Sequence, residues 1–205
     1  MLFRSQFVDE LSGEFRNLTK LLKLSNNDFV RTTDPAHKKA AQKLWLACKN
    51  DIYKSKYEGM YCVGHEAFLK DSDLVDGVCP DHKTKPQKME LESYFFKLSK
   101  YATKLKELIE TGRINIVPQK RRNEMLSFIE SGLEDVSISR PKSQLSWGIE
   151  VPDDSEHVMY VWFDALTNYI SAIGYENDSE KFQKYWPANV HVIGKDIAQI
   201  GRAHV

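Results

Sequence analysis

The stretch VMYVWFDALTNYISAI, residues 158–173, decides the fold because its hydrophobic pattern changes midway. Its first half is rich in β-branched and aromatic residues, as in a buried strand, and its second half has helical spacing. We expect a helix to begin near Asp164, with that carboxylate as its N-cap. Trp162, Ala165 and Tyr169 then lie at the carboxyl end of a sheet, where open α/β sheets bind ligands. The alternative is that Trp162 and Tyr169 only pack in the core.

The segment ANVHVIGKDI, residues 188–197, has a related form, a buried-strand pattern that turns at Gly194. Gly194 permits a ligand to approach the backbone, and Asp196 can accept hydrogen bonds from a ribose or an ammonium group. A turn with a capping aspartate would look the same and need no function. Strand, helix and strand in succession predict an α/β fold with a parallel layer.

Upstream, residues 7–24 and 35–50 have the apolar spacing of amphipathic helices, and Asp34-Pro35 is a typical helix start. Short strands are predicted at 52–53 and 57–62, around a turn at Gly59. Residues 91–112 predict a strand that continues into a helix, and Asn123–Ser131 predicts another helix.

The composition excludes several classes of protein. In 205 residues, 29 Lys and Arg balance 29 Asp and Glu, so a uniformly basic nucleic-acid binder is excluded. We expect no membrane span, since no apolar run reaches the length that one needs. Three cysteines do not suggest a disulfide framework, and a reducing intracellular compartment is expected, cytoplasmic or alternatively an organellar matrix. The terminal stretches 1–5 and 200–205 resemble translated sequencing adapters, so residues 6–199 are expected to be the native chain.

Two Cys–His pairs indicate a metal site. Cys62 and His65 are followed, after thirteen residues, by Cys79 and His82. Pairs separated by two residues can both reach one zinc ion from a tight turn, and four protein ligands would make the site structural. An eroded knuckle without metal and a chance spacing are the alternatives. Cys48, alone in a predicted helix, is expected to be a core residue.

Arginines occur near two predicted turns, in Arg121-Arg122 and in Ser139-Arg140. A guanidinium is the usual partner of a phosphate or carboxylate. A surface or structural ion pair explains the same positions equally well.

Together these motifs resemble the methionyl-tRNA synthetase family of the bacterial and organellar kind, from about residue 7 to 198. The matching motifs are, in order, RTTDP (31–35), YCVGHEAF (61–68), CPDH (79–82), ESYFFKLSKY (92–101), RRNEMLSFI (121–129), DVSISR (135–140), SWGIEVP (146–152), YVWFDALTNYISAIGY (160–175) and HVIGKDI (191–197).

The resemblance implies a class I aminoacyl-tRNA synthetase. In that family a Rossmann-type catalytic domain is interrupted by a connective-peptide insertion that carries a zinc knuckle. On this template residues 1–51 end the first Rossmann half, 52–138 form the insertion, and 139–205 begin the second half. The implied substrates are methionine, ATP with Mg²⁺, and tRNA(Met), and the oligomeric state is left open.

The resemblance also implies residue roles. Trp162, Ala165, Leu166 and Tyr169 match the methionine side-chain pocket, and Gly194 and Asp196 match the nucleotide side of the adenylate site. Arg140 matches an arginine of methionine activation. Cys62, His65, Cys79 and His82 match the zinc ligands, although the family usually has Cys at the position of His65.

The family's two ATP signatures, an H-I-G-H-like tetrad and a K-M-S-K-S-like loop, do not occur in the sequence. We therefore expect this polypeptide to be a fragment that does not aminoacylate alone. Another class I synthetase with an insertion is one alternative, and a stand-alone zinc-binding tRNA or protein interaction module is another. The segment YVWFDALTNYIS and the zero net charge argue against them.

Overall fold

The structure, a computed structural model, describes residues 2–64, 67–69, 73–194 and 197. Its helices are α1 (Leu2–Leu21), α2 (Pro35–Ala47), α3 (Ala102–Glu110), α4 (Gln119–Glu130), α5 (Val161–Leu166), α6 (Asn168–Ser171) and α7 (Glu180–Tyr185). Short 3₁₀ turns lie at Lys49–Asp51, Leu98–Tyr101 and Tyr175–Asn177. No helix in the described ranges is long and apolar enough to cross a bilayer.

Within the described residues the strands form two sheets, and every strand pair in them is antiparallel. The larger has the order β2-β1-β3-β4, from β1 (Ile52–Cys62), β2 (Ala67–Leu69), β3 (Gln87–Phe96) and β4 (Val136–Ser137). The smaller has the order β5-β7-β6, from β5 (Ser139–Pro141), β6 (Glu150–Val151) and β7 (Asp154–Met159).

The helix starts and ends follow the local sequence. Asp34 is extended and Pro35 occupies the first turn of α2, as predicted, because proline has no backbone N–H to lose there. The Arg31 N–H donates to Asp34 Oδ2 over 3.1 Å, which holds the approach to the helix. Gly112 and Gly132 follow α3 and α4 with φ of +74° and +99°, values that suit glycine.

Three predictions about strands are wrong. β1 is one continuous strand, because Gly59 is held opposite Met89 of β3 and cannot turn. The segment 188–193 is not a strand, since no strand of the described residues pairs with it, and Val192 is 90% exposed. The predicted parallel layer is also wrong for the described ranges, where every strand pair is antiparallel.

One hydrophobic core joins α2, β3, α3, α4 and the end of β7. Trp45 of α2, 4% exposed, makes edge-to-face contacts with Tyr94 and Phe163 at centroid distances of 5.4 and 5.3 Å. Cys48 packs against this cluster, as predicted for a core thiol. The core therefore fixes β7 and α5 relative to α2, which sets the position of the segment that decides the fold.

Candidate functional site

Arg140 is a buried cation at the end of β7. β5 places it beside that strand, where Ser139 is paired with Met159, and its exposed fraction is 7%. Its Nη1 donates to Ser137 Oγ over 2.8 Å and to the Ser139 carbonyl over 2.7 Å. Its guanidinium carbon lies 3.9 Å from the centre of the Tyr160 ring, a cation–π distance. The charge is thus fixed in direction rather than mobile on a flexible side chain.

The predicted pocket residues lie on α5 and α6, the two helices that follow β7. Trp162, Ala165, Leu166 and Tyr169 are spaced by three and four residues along α5 and α6, which places them on one side of the helical segment. Leu166 is 6% exposed, and the other three are half-buried. Tyr160, which packs on Arg140, is two residues before Trp162, so the cation and the aromatic side chain belong to the same end of β7.

The segment around Gly194 approaches the same helices. The ring of His191 lies 5.2 Å from that of Tyr169 and 5.9 Å from that of Trp186, both edge to face. Gly194 itself has open space around its Cα, with the Ile197 side chain as the nearest neighbour of an added Cβ, at 3.8 Å. Asp196 lies outside the described residues. The structure therefore brings the two predicted segments into contact through Tyr169.

Asp164 is not the N-cap of α5, which is Tyr160; the helix begins at Val161 instead of near Asp164. The helix starts earlier because β7 ends at Met159 and Tyr160 is still extended. Asp164 is consequently carried inward, to an exposed fraction of 8%, and its Oδ1 has no hydrogen-bond partner among the described residues. Burial raises the pKa of its carboxyl to about 7. A carboxyl that is readily protonated near neutral pH therefore lies between Trp162 and Ala165 in the chain.

His37 is a site neighbour that sequence reasoning missed. It is 1% exposed on α2, and its Nδ1 lies 2.9 Å from Ser171 Oγ on α6. Burial lowers the pKa of its imidazole, against a smaller raising contribution from the Asp164 backbone. A histidine in the first turn after Asp34-Pro35 was visible in the sequence, but nothing there indicated its partner 134 residues away.

Three of the four predicted metal ligands belong to the described residues, and these three lie close together. The ligand atoms of Cys62, Cys79 and His82 all lie within 4.8 Å of one another. Nδ1 of His82 is 3.7 Å from the Cys62 sulfur and 3.5 Å from the Cys79 sulfur. Both thiols are buried and the imidazole is exposed, whereas His65 lies outside the described residues.

Gly64 explains how this arrangement is possible. An added Cβ there would lie 2.4 Å from Cδ2 of His82, so a side chain at this position would displace the imidazole from the two thiols. Two thiolates and an imidazole are the donor set that zinc prefers, so the residues present fit that ion.

Arg121 and Arg122 both have partners within the chain. Arg121 forms an ion pair with Glu124 at 2.6 Å, which agrees with the interpretation as a surface ion pair. Arg122 Nη2 instead donates to the Ile109 carbonyl, near the end of α3, over 3.2 Å.

Comparisons with known proteins agree on one family. The model of the family described as tRNA synthetases class I (M) matches residues 3–90 and 81–201. The methionine–tRNA ligase of Caldanaerobacter subterraneus subsp. tengcongensis is 48% identical over 198 residues, which are 95% of this chain and 31% of the relative. The methionine–tRNA ligase of Rickettsia conorii is 47% identical, over 94% of this chain and 38% of the relative.

The fold of this chain is also similar to that of solved structures. Mycobacterium tuberculosis methionyl-tRNA synthetase in complex with methionyl-adenylate superposes with a TM-score of 0.81 and 42% identity, over 93% of this chain and 38% of that one. The apo form of that protein gives a TM-score of 0.85 and 40% identity, over 99% and 42% respectively. The chain thus spans about a third of the length of the curated relatives it matches.

Proposed function

The chain belongs to the family of tRNA synthetases class I (M), and on this premise we propose that it is part of a methionine–tRNA ligase. Such an enzyme joins the methionine carboxylate to the α-phosphate of ATP, which gives methionyl-adenylate and pyrophosphate. The ribose hydroxyl at the end of tRNA(Met) then attacks the acyl carbon and releases AMP. The observation that carries the proposal is the junction of the buried Arg140 with the aromatic segment at the end of β7.

The proposed methionine site is the face formed by Trp162, Ala165, Leu166 and Tyr169. Half-buried aromatic rings suit a flexible thioether, which gains sulfur–aromatic contacts in addition to the burial of its methylene groups. The small Ala165 leaves room between the two rings. An apolar slot of this kind discriminates by about 1–3 kcal/mol per methylene.

Arg140 and the segment after His191 are proposed to serve the nucleotide. Gly194, with no close neighbour, suits the approach of a ribose to the backbone, and Asp196 is proposed to accept hydrogen bonds from its hydroxyls. ATP enters with Mg²⁺. Negative charge grows on the phosphate oxygens as the carboxylate attacks, and a cation held in one direction stabilises that charge without reorganising. The contacts of Arg140 with Ser137 and Tyr160 support this role.

A structural zinc ion is proposed for Cys62, His65, Cys79 and His82. With four protein ligands the ion would have no open position for water, so it would stabilise the turn and take no part in the chemistry. The convergence of three of the four ligands supports the proposal.

We also propose a division of the chain into domains. Residues 1–51 and 139–205 would belong to the two Rossmann halves and 52–138 to the insertion. All four strands of the larger sheet fall within 52–138, and all three strands of the smaller sheet fall within 139–205, which supports this boundary. A cytoplasmic location, or alternatively an organellar matrix, is proposed with it.

The test uses a chimera in which residues 6–199 replace the matching segment of the Mycobacterium tuberculosis enzyme. We expect methionine-dependent exchange of pyrophosphate into ATP, and we expect Trp162→Ala to raise the KM for methionine about tenfold, since it removes one aromatic contact of the thioether. Trp147→Ala is the matched control, because that indole is 64% exposed. A folded chimera without exchange would contradict the function, whereas an unchanged KM would contradict only the pocket.

A further inference from the structure

Three serines from separate strands surround the connection between the two sheets next to Arg140. Ser93 lies in β3, Ser137 in β4 and Ser139 in β5, and Ser93 and Ser139 are 1% and 0% exposed. Ser93 Oγ lies 2.7 Å from Ser137 Oγ and 2.9 Å from the Ser139 carbonyl oxygen. Ser139 Oγ accepts the Tyr94 N–H over 2.8 Å. The hydroxyls therefore join β3 of the larger sheet to β5 of the smaller one.

The direction of each hydrogen bond follows from counting protons. A guanidinium only donates, so Ser137 Oγ accepts from Arg140 Nη1 at 2.8 Å. The single hydroxyl proton of Ser137 is then free to be donated to Ser93 Oγ. The proton of Ser93 goes in turn to the nearer carbonyl, that of Ser139, at 2.9 Å. That same carbonyl accepts the second bond from Arg140 Nη1, at 2.7 Å.

We propose that Ser93 is a positioning residue for Arg140, acting through the Ser137 hydroxyl and the Ser139 carbonyl. This inference rests on the proposed function, in which Arg140 stabilises the developing charge. The hydroxyl of Ser93 contacts both acceptors of Arg140 Nη1, the Ser137 hydroxyl at 2.7 Å and the Ser139 carbonyl at 2.9 Å. The Tyr160 ring at 3.9 Å blocks one face of the guanidinium. A residue 47 positions upstream in the chain thereby sets the direction of the cation.

Removal of that hydroxyl has a defined consequence. In Ser93→Ala the Ser137 proton loses its acceptor, and the Ser139 carbonyl loses one of its donors. The Ser137 hydroxyl is then released to rotate toward another partner, whereas the Ser139 carbonyl stays in the backbone of β5. Arg140 keeps its charge but one of its two acceptors is no longer held in direction, and catalysis of this kind falls steeply with small misplacements.

The experiment is a double-mutant cycle in the chimera, with kcat and KM of pyrophosphate exchange as readouts. We expect Arg140→Ala to lower kcat about 100-fold, as for removal of one stabilising donor. Ser93→Ala is expected to lower kcat about tenfold with an unchanged KM for methionine. Added to Arg140→Ala, it is expected to have no further effect, since residues that act as a unit are not additive. Ser93→Thr, which retains a hydroxyl, is expected to restore part of the rate.

The matched control is Ser55→Ala. Ser55 lies in β1 directly opposite Ser93, and its hydroxyl only reaches the neighbouring Lys56 carbonyl at 3.4 Å. A thermal melt of each variant checks that the variant is folded. A tenfold loss in Ser93→Ala that persists in the Arg140→Ala background, or a loss equal to that of Ser55→Ala, would overturn the inference. An unchanged rate in Arg140→Ala itself would instead contradict the catalytic role under the proposed function.

Discussion

The core around Trp45 and the knuckle, Cys62 to His82, are held together by different forces. The core is one cluster of buried apolar side chains from helices and both sheets. The buried side chains of the knuckle, Cys62 and Cys79, do not belong to that cluster. Among the described residues of the knuckle, strand structure is confined to the end of β1 and the three-residue β2. Buried apolar area therefore stabilises the first region, whereas the second is organised around three convergent polar ligand atoms.

The largest effect is expected when the core is opened. Trp45→Ala removes a 4% exposed indole that contacts both Tyr94 and Phe163, and it leaves a cavity. We expect a loss of about 3–5 kcal/mol in the free energy of unfolding, measured by chemical denaturation. Trp147→Ala, at a position 64% exposed, should change it by less than about 0.5 kcal/mol. Equal losses in the two variants would contradict the assignment of the core.

The next largest effect concerns the buried carboxyl of Asp164. Because the pKa of Asp164 is about 7 when folded and near 3.8 when unfolded, its stabilising contribution is complete below pH 4 and is lost as the pH rises through 7. Asp164→Asn stays neutral, so we expect it to be more stable than the parent at pH 8, on the order of 3–4 kcal/mol, and similar at pH 4. Thermal melts across this range measure the difference.

Asp135→Asn is the control of opposite sign. Burial alone would raise the pKa of Asp135, but hydrogen bonds from Ser99 and Tyr53 outweigh it and lower that pKa. This variant should therefore be the less stable one near neutral pH, with the difference vanishing in acid. A pH-independent gain in Asp164→Asn would contradict the titration of Asp164.

The smallest global effect is expected in the knuckle. Cys79→Ser is expected to abolish the binding of about one zinc ion per chain, measured by metal analysis. Because the knuckle lies outside the core cluster, faster amide exchange should be confined to residues 75–86, and the global melt should change little. Cys48→Ser, which alters a thiol that packs against the core, should keep the metal. Equal metal content in the Cys79→Ser variant and the parent would contradict the site.

Local sequence signals predicted most of the elements. Proline at the start of α2 and the glycines after α3 and α4 act within one or two turns, so these boundaries are readable. The predicted turn at Gly59 failed because ten cross-strand pairs with β3 determine the conformation of β1. The strand predicted at 188–193 failed for the converse reason, since an apolar alternation needs a neighbouring strand before it becomes one.

The exposed apolar face of α1 shows the same limit. Phe7, Leu11 and Phe15 have the spacing that predicted the helix, yet they are 62%, 45% and 56% exposed. A period of 3.6 residues specifies a helix with one apolar side, but it does not specify what lies against that side.

Sequence alone was enough for α1 to α4, for the spacing of the Cys–His pairs and for the resemblance to the synthetase family, because each of these signals lies within a few dozen neighbouring residues. Only the tertiary structure decided that Ser93 lies against the carbonyl next to Arg140, that His37 meets Ser171, and that Asp164 is buried with a raised pKa. Hydrogen-bond partners and desolvation depend on which distant segments the fold packs together, and the periodicity of the sequence does not show which segments these are.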